Sequence, residues 1–225
     1  MVVHGGGDEV GTLQRLYGVE ARFHGGRRVT SALDLEIIRM ALSGSANKRL
    51  VAALNDRGVA ALGLSGEDAG LIAALPLDAD RYGHVGTPAS VNVALLRHLL
   101  AGDLLPVISP VSRHAAPGRD DPSTLNVNGD DAAAAIATAL EAEELLLVSD
   151  VAGVLVHGDA VGELDADEAR QLIADGTAAG GMGAKLQAAL AALAGGVARV
   201  RISDIAAIES LDRGTVLTRV ESVCA

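Results

Sequence analysis

A single cysteine, Cys224, is all the thiol chemistry available in 225 residues. That excludes a disulfide framework and a cysteine-built zinc site, and it fits a reducing compartment. Aromatic residues are equally scarce. Tyr17, Phe23 and Tyr82 stand alone, without tryptophan, too few for a platform that stacks bases. No apolar run approaches the ~18 residues needed to span a membrane. Basic runs are missing as well: 18 Lys and Arg against 29 Asp and Glu leave a net charge of −11. Binding a phosphate backbone needs clustered cations, so neither nucleic acid nor membrane is expected as a partner. The first residues, Met1-Val2-Val3-His4-Gly5, have neither a basic flank nor a long apolar stretch. No secretory signal is expected from them, and a cytoplasmic protein is.

Short apolar runs alternate with longer helical stretches, the pattern of a βαβ succession and a parallel sheet. Strands are expected at residues 2–4, 59–64, 104–109, 144–149, 197–203 and 215–218. Helices are expected at 8–17, 33–42, 47–55, 88–100, 130–140, 165–174 and 185–194, with Gly44 as a break and Pro88 in a first turn. Residues 110–124 read as the most irregular loop. A boundary near residue 143 divides the chain into lobes 1–143 and 144–225. Ligands of open α/β sheets bind beyond the carboxyl ends of strands, so the loops after strands are where chemistry is sought.

Four such loops stand out. His4-Gly5-Gly6-Gly7 lies between a strand and a helix, where bare amides and a helix N-terminus can meet an oxyanion; it also reads as a plain tight turn. Its spacing does not fit G-x-G-x-x-G, and no loop ends in Lys-Ser or Lys-Thr as a Walker motif would. Asn126-Val127-Asn128-Gly129-Asp130 puts two amides on one side of an extended segment, with Asp130 as the expected cap of the next helix. Gly180-Gly181-Met182-Gly183-Ala184-Lys185 places one of only two lysines in the expected first turn of a helix, as a second anion site or as a solvated surface lysine. Ser149-Asp150-Val151 ends a strand in polar residues suited to a nucleotide. Arg27 and Arg28 add guanidinium forks that match a carboxylate, or a solvated pair.

Taken in order, these segments resemble the amino acid kinase family, and within it the acetylglutamate kinase branch. The resemblance runs through His4-Gly5-Gly6-Gly7, Arg28-Val29-Thr30, Gly83-His84-Val85-Gly86, Leu105-Pro106-Val107-Ile108, Asn126-Val127-Asn128-Gly129-Asp130, Ser149-Asp150-Val151-Ala152-Gly153-Val154, Gly180-Gly181-Met182 with Lys185, and Gly214-Thr215. It implies a three-layer αβα sandwich with an open, mainly parallel sheet. It also implies an N-terminal lobe for the acyl amino acid, a C-terminal lobe for ATP with Mg²⁺, and a homodimer. The implied reaction is phosphorylation of the side-chain carboxylate of N-acetyl-L-glutamate. Gly5 and Gly6 would then offer amides to the transferred phosphoryl group, and Arg28, Asn126 and Asn128 would hold the acyl amino acid. Asp130 would orient the catalytic Lys185. Ser149, Asp150, Val151 and Gly181 would lie at the nucleotide, and no residue is assigned to a metal.

Two features depart from the family pattern. Gly129 stands where alanine is usual, and the Lys-x-Gly-Gly strand and first helix that precede His-Gly-Gly-Gly in the family have no counterpart here. The strand at residues 2–4 is therefore expected to show an open edge, from a misassigned start or a shortened variant. Two other readings stay open: the branch acting on carrier-protein-bound aminoadipate or glutamate, and a relative that binds ligand without transferring phosphate.

Overall fold

The computed structural model describes residues 1–119, 121–210 and 212–218, and the chain forms two compact units that divide between Ala132 and Ala133. The first unit begins with β1 (Val2–Val3), α1 (Gly7–Leu16) and a hairpin of β2 (Phe23–His24) and β3 (Arg27–Arg28). Next come α2 (Ala32–Arg39), a π-helical segment (Met40–Ala46) and α3 (Asn47–Asn55). The chain continues through β4 (Ala61–Gly66), β5 (Ile72–Pro76), the short α4 (Ala79–Tyr82), β6 (Val85–Val91) and α5 (Val93–Ala101). It closes with β7 (Leu105–His114), β8 (Thr124–Val127) and α6 (Gly129–Ala139), the helix in which the two units divide.

Strand β7 organises the sheet of this unit. Its first half pairs in parallel with β1 and β4, and its second half with β5 in parallel and β8 antiparallel. Val107, Ile108, Ser109, Val111 and Ser112 are all fully buried, so both faces of the strand are covered and its sequence shows no alternation of apolar and exposed polar residues. Strand β1 pairs with β7 alone among the described residues, through Val2 opposite Val107 and Val3 opposite Ile108. The open edge expected for this strand is there.

In the second unit β9 (Glu144–Val148), β13 (Arg199–Ser203), β14 (Thr215–Thr218) and β12 (Glu163–Asp165) form a second sheet. A small hairpin, β10 (Leu155–Val156) with β11 (Asp159–Ala160), stands apart from it. Helices α7 (Ala166–Ala174) and α8 (Gly180–Ala194) complete the unit, and α8 packs on β9 and β13. Small residues allow that approach: Gly183, Ala184, Ala188, Ala189 and Ala192 are buried along α8 beside Leu186 and Leu193. Both sheets are mixed but mainly parallel. No helix among the described residues is long and apolar enough to cross a membrane.

The structure corrects several local expectations. Pro88 does not open a helix but lies in β6, at a register shift where Ala73 pairs with Ser90 and Ala74 with Pro88. A bulge is where a strand tolerates a residue without an N–H. Helix α5 starts later, with Asn92 Oδ1 accepting from Leu95 N at 3.2 Å. Gly44 does not break the helix either, because the chain changes to π geometry and carries on, with Asn47 N donating to the Leu42 carbonyl five residues back. The expected loop 110–124 is shorter than the sequence suggests, since β7 extends to His114 and β8 starts at Thr124. Asp130 is not a cap: it sits in the first turn of α6, and Asn128 fills the cap role. Its side-chain oxygen accepts from Asp130 N at 3.4 Å and its carbonyl from Ala132 N at 2.9 Å. Gly180, Gly181 and Gly183 lie inside α8, which moves Lys185 to the second turn.

Candidate functional site

A cavity of about 200 Å³ opens in the first unit between the starts of α1 and α6 and the β2–β3 hairpin. Gly5, Gly6, Gly7, Arg28, Asn126, Asn128 and Gly129 all line it. The residues singled out in the sequence of this unit are thus brought together around one space. Asp130 follows directly in α6 and does not line it.

The glycine loop is set by His4. Asn47 Nδ2 donates to His4 Nε2 at 3.0 Å, so the ring proton is on Nδ1, which donates to the Gly5 carbonyl at 2.8 Å. Burial pushes the pKa of His4 down from its ordinary value, with opposing pulls from the Gly5 contact and Glu9, which keeps this neutral form. In a trans peptide the N–H opposes the C=O, so the Gly6 amide points away from the ring. Gly6 then caps α1, its carbonyl accepting from Val10 N at 3.0 Å. The first-turn amides of a helix have no partner within it and carry its positive dipole end. A Cβ on Gly6 would come within 2.7 Å of Leu42 Cδ2, a side chain held in the core beside Val10, Ile38 and Val111.

Gly129 is less constrained. A Cβ there would stand 3.8 Å from Gly5 N and from His4 O, an ordinary contact, and the residue is helical. Gly129→Ala should therefore raise stability by about 0.4–1 kcal/mol through the unfolded chain's lost freedom. A thermal melt of the two proteins checks this; a lower Tm would mean that the loop at Gly5 needs the space.

Arg28 reaches the cavity from the hairpin. Its Nη1 donates to Gln14 Oε1, and its Cζ lies 4.7 Å from the centre of the Phe23 ring. Burial pushes its pKa down and the Asp34 carboxylate pulls it back; a guanidinium stays charged regardless. Beside it, Arg27 is ion-paired with Asp131 of α6, which joins the hairpin to that helix. Asn126 Nδ2 donates to Thr30 Oγ1 at 3.0 Å, and that hydroxyl donates to the Arg28 carbonyl at 3.1 Å. Arg28, Thr30 and Asn126 are in this way mutually oriented.

Ser149, Asp150, Val151, Gly181 and Lys185 belong to the second unit. The first three follow β9, where Ser149 N donates to the Ser203 carbonyl at 2.7 Å and Ser149 Oγ to Asp150 Oδ1 at 3.2 Å. Lys185 lies one helical step before Ala188, Ala189 and Ala192, all buried. Lys185 itself is half-buried.

Gln14 and Asp34 escape the sequence reading, and Phe23 and Thr30 are given no role at a site there. Gln14 shares the buried face of α1 with Val10, so a polar residue on the apolar stripe was the available signal. Ser31 and Asp34 form a capping box, Asp34 N donating to Ser31 Oγ at 3.2 Å and Ser31 N to Asp34 Oδ2 at 2.9 Å. Among the described residues no three His, Cys, Asp or Glu gather as a metal cage would require.

Residues 1–204 match the model of the amino acid kinase family. The acetylglutamate kinase of Paracoccus denitrificans is 47% identical over 205 residues, which cover 91% of this chain and 66% of that protein. For the acetylglutamate kinase of Roseiflexus castenholzii the figures are 46% over 218 residues, 96% and 81%. The chain thus spans about two thirds to four fifths of the length of these curated relatives. A protein from Streptococcus mutans of known crystal structure superposes with a TM-score of 0.88 at 30% identity, covering 97% of this chain and 85% of that one.

Proposed function

This chain belongs to the amino acid kinase family, and from that premise we propose that it transfers the γ-phosphoryl group of ATP to the side-chain carboxylate of N-acetyl-L-glutamate, a step of arginine biosynthesis. One observation carries the reading most: Arg28, Asn126, Asn128 and the glycines 5–7 line a single cavity. A guanidinium fork and two amides suit an acylated amino acid with two carboxylates, one to be held and one to react. The start of α1 suits the transferring phosphoryl group.

The chemistry asks little else of the protein. A carboxylate is ionised at neutral pH, so the nucleophile needs no general base. Phosphoryl transfer then depends on in-line placement and on neutralising the charge of the equatorial oxygens. The 5–7 amides would serve one side, and Lys185 the phosphates, with Asp130 orienting that lysine. Ser149, Asp150, Val151 and Gly181 would hold the nucleotide, residues 1–143 forming the acyl-amino-acid lobe and 144–225 the nucleotide lobe. Magnesium would arrive on the ATP phosphates, the usual form for an ion that keeps its waters and few protein ligands. A cytoplasmic homodimer is part of the same proposal and follows from the family resemblance.

Incubation with Mg·ATP, N-acetyl-L-glutamate and hydroxylamine should give ADP and a hydroxamate in equal amounts, since the acyl phosphate is trapped as it forms. ATP consumption without hydroxamate, or hydroxamate only from a carrier-bound amino acid, would overturn the assignment.

A further inference from the structure

The Arg28 side chain is anchored from behind by two buried polar residues that the proposed reaction does not use. Gln14 is 1% exposed and Asp34 5%. Gln14 Oε1 accepts from Arg28 Nη1, and Gln14 Nε2 donates to Asp34 Oδ1 at 2.5 Å. Asp34 Oδ2 accepts from the Ser31 amide at 2.9 Å and from the Ser31 hydroxyl at 2.6 Å. Every side-chain oxygen and nitrogen of Gln14 and Asp34 therefore has a partner, and the chain runs in one direction, from the guanidinium through the amide to the carboxylate. An amide is the side chain suited to the middle place, since it accepts at one end and donates at the other.

We propose that Gln14 is a positioning residue that fixes the Arg28 fork for the substrate carboxylate, with Asp34 as its fixed terminus. One Arg28 N–H is consumed by Gln14 and one face rests on Phe23, which leaves four N–H groups for a ligand. A leucine-sized side chain at position 14 would fill the same space without holding Nη1. The guanidinium would then be free to rotate away, and its ordering would have to be supplied by the ligand. Burial opposes the charge on Asp34, but the Ser31 and Gln14 hydrogen bonds and Arg28 together hold its carboxyl below the usual range. The terminus of the chain thus stays an acceptor.

This inference rests on the N-acetylglutamate reading of the pocket, and calorimetry of the full chain separates the two. The wild type should bind N-acetyl-L-glutamate and Mg·ATP. In Gln14→Leu the Kd for N-acetyl-L-glutamate should rise roughly tenfold, the scale of one hydrogen bond to a charged group, while the Kd for Mg·ATP is unchanged. Gln14→Glu with Asp34→Asn exchanges donor and acceptor but keeps every hydrogen bond, and should restore N-acetyl-L-glutamate binding. It also carries the test should the leucine variant fail to fold. Unchanged binding in Gln14→Leu, equal weakening of both ligands, or no recovery in the double variant would overturn the positioning role. A wild type that binds no N-acetyl-L-glutamate would overturn the reading of the pocket itself.

Discussion

Lys185→Ala is expected to lower kcat by about 10²-fold or more while ATP still binds, the scale of losing a preorganised charge at a transition state. The residue is one of two lysines in the chain, and the other, Lys48, is occupied with the Gly63 carbonyl at 3.1 Å. Lys185 stands in the second turn of α8, one turn beyond the positive end of its dipole. A cation there gains most when an anion shares the place, as ATP phosphates would. Alanine is the best helix former, and Ala188 and Ala189 follow on the same face, so the fold should survive. Single-turnover kinetics at saturating ATP give the rate, and nucleotide titration gives the binding. Turnover at the wild-type rate would remove Lys185 from the mechanism.

Arg28→Ala should act on the other substrate. Its KM for N-acetyl-L-glutamate should rise on the order of 100-fold, the upper range for a charge-assisted contact, with the KM for ATP nearly unchanged. Arg28→Lys should recover little, because an ammonium cannot hold Gln14 and present a planar fork together. Steady-state kinetics with each substrate varied in turn decides this. A rise shared equally by both substrates would place Arg28 outside the amino-acid pocket.

Much of the site was legible because its residues are rare or unusually spaced. Three glycines after a strand and two asparagines two positions apart are local signals, and local signals survive in a sequence. The partners of Arg28 were not legible in the same way. Gln14 and Asp34 lie 14 and 6 positions from it in opposite directions, and only tertiary packing puts them in line. The fold shows the same division. Strands β4, β7 and β9 announce themselves as apolar runs, whereas β6 carries Pro88 and small polar residues. It is a strand because β5 pairs with it across a bulge, a fact about its neighbour. Asp130 was misread as a cap because aspartate suits that place in isolation; Asn128, two residues earlier, took it first.

The π-helical segment bears on how relatives of this chain are compared. A turn of that kind holds about one residue more than the α-helical turn it replaces, so Met40–Ala46 stores an insertion without a loop. Leu42, inside it, is the side chain that limits Gly6, and Ser43 Oγ meets Ser109 Oγ at 2.7 Å. A one-residue gap here between two homologous sequences is a change of winding. It rotates α3 about its axis relative to α2 by about 100°, given 3.6 residues per turn, and carries Asn47 away from His4.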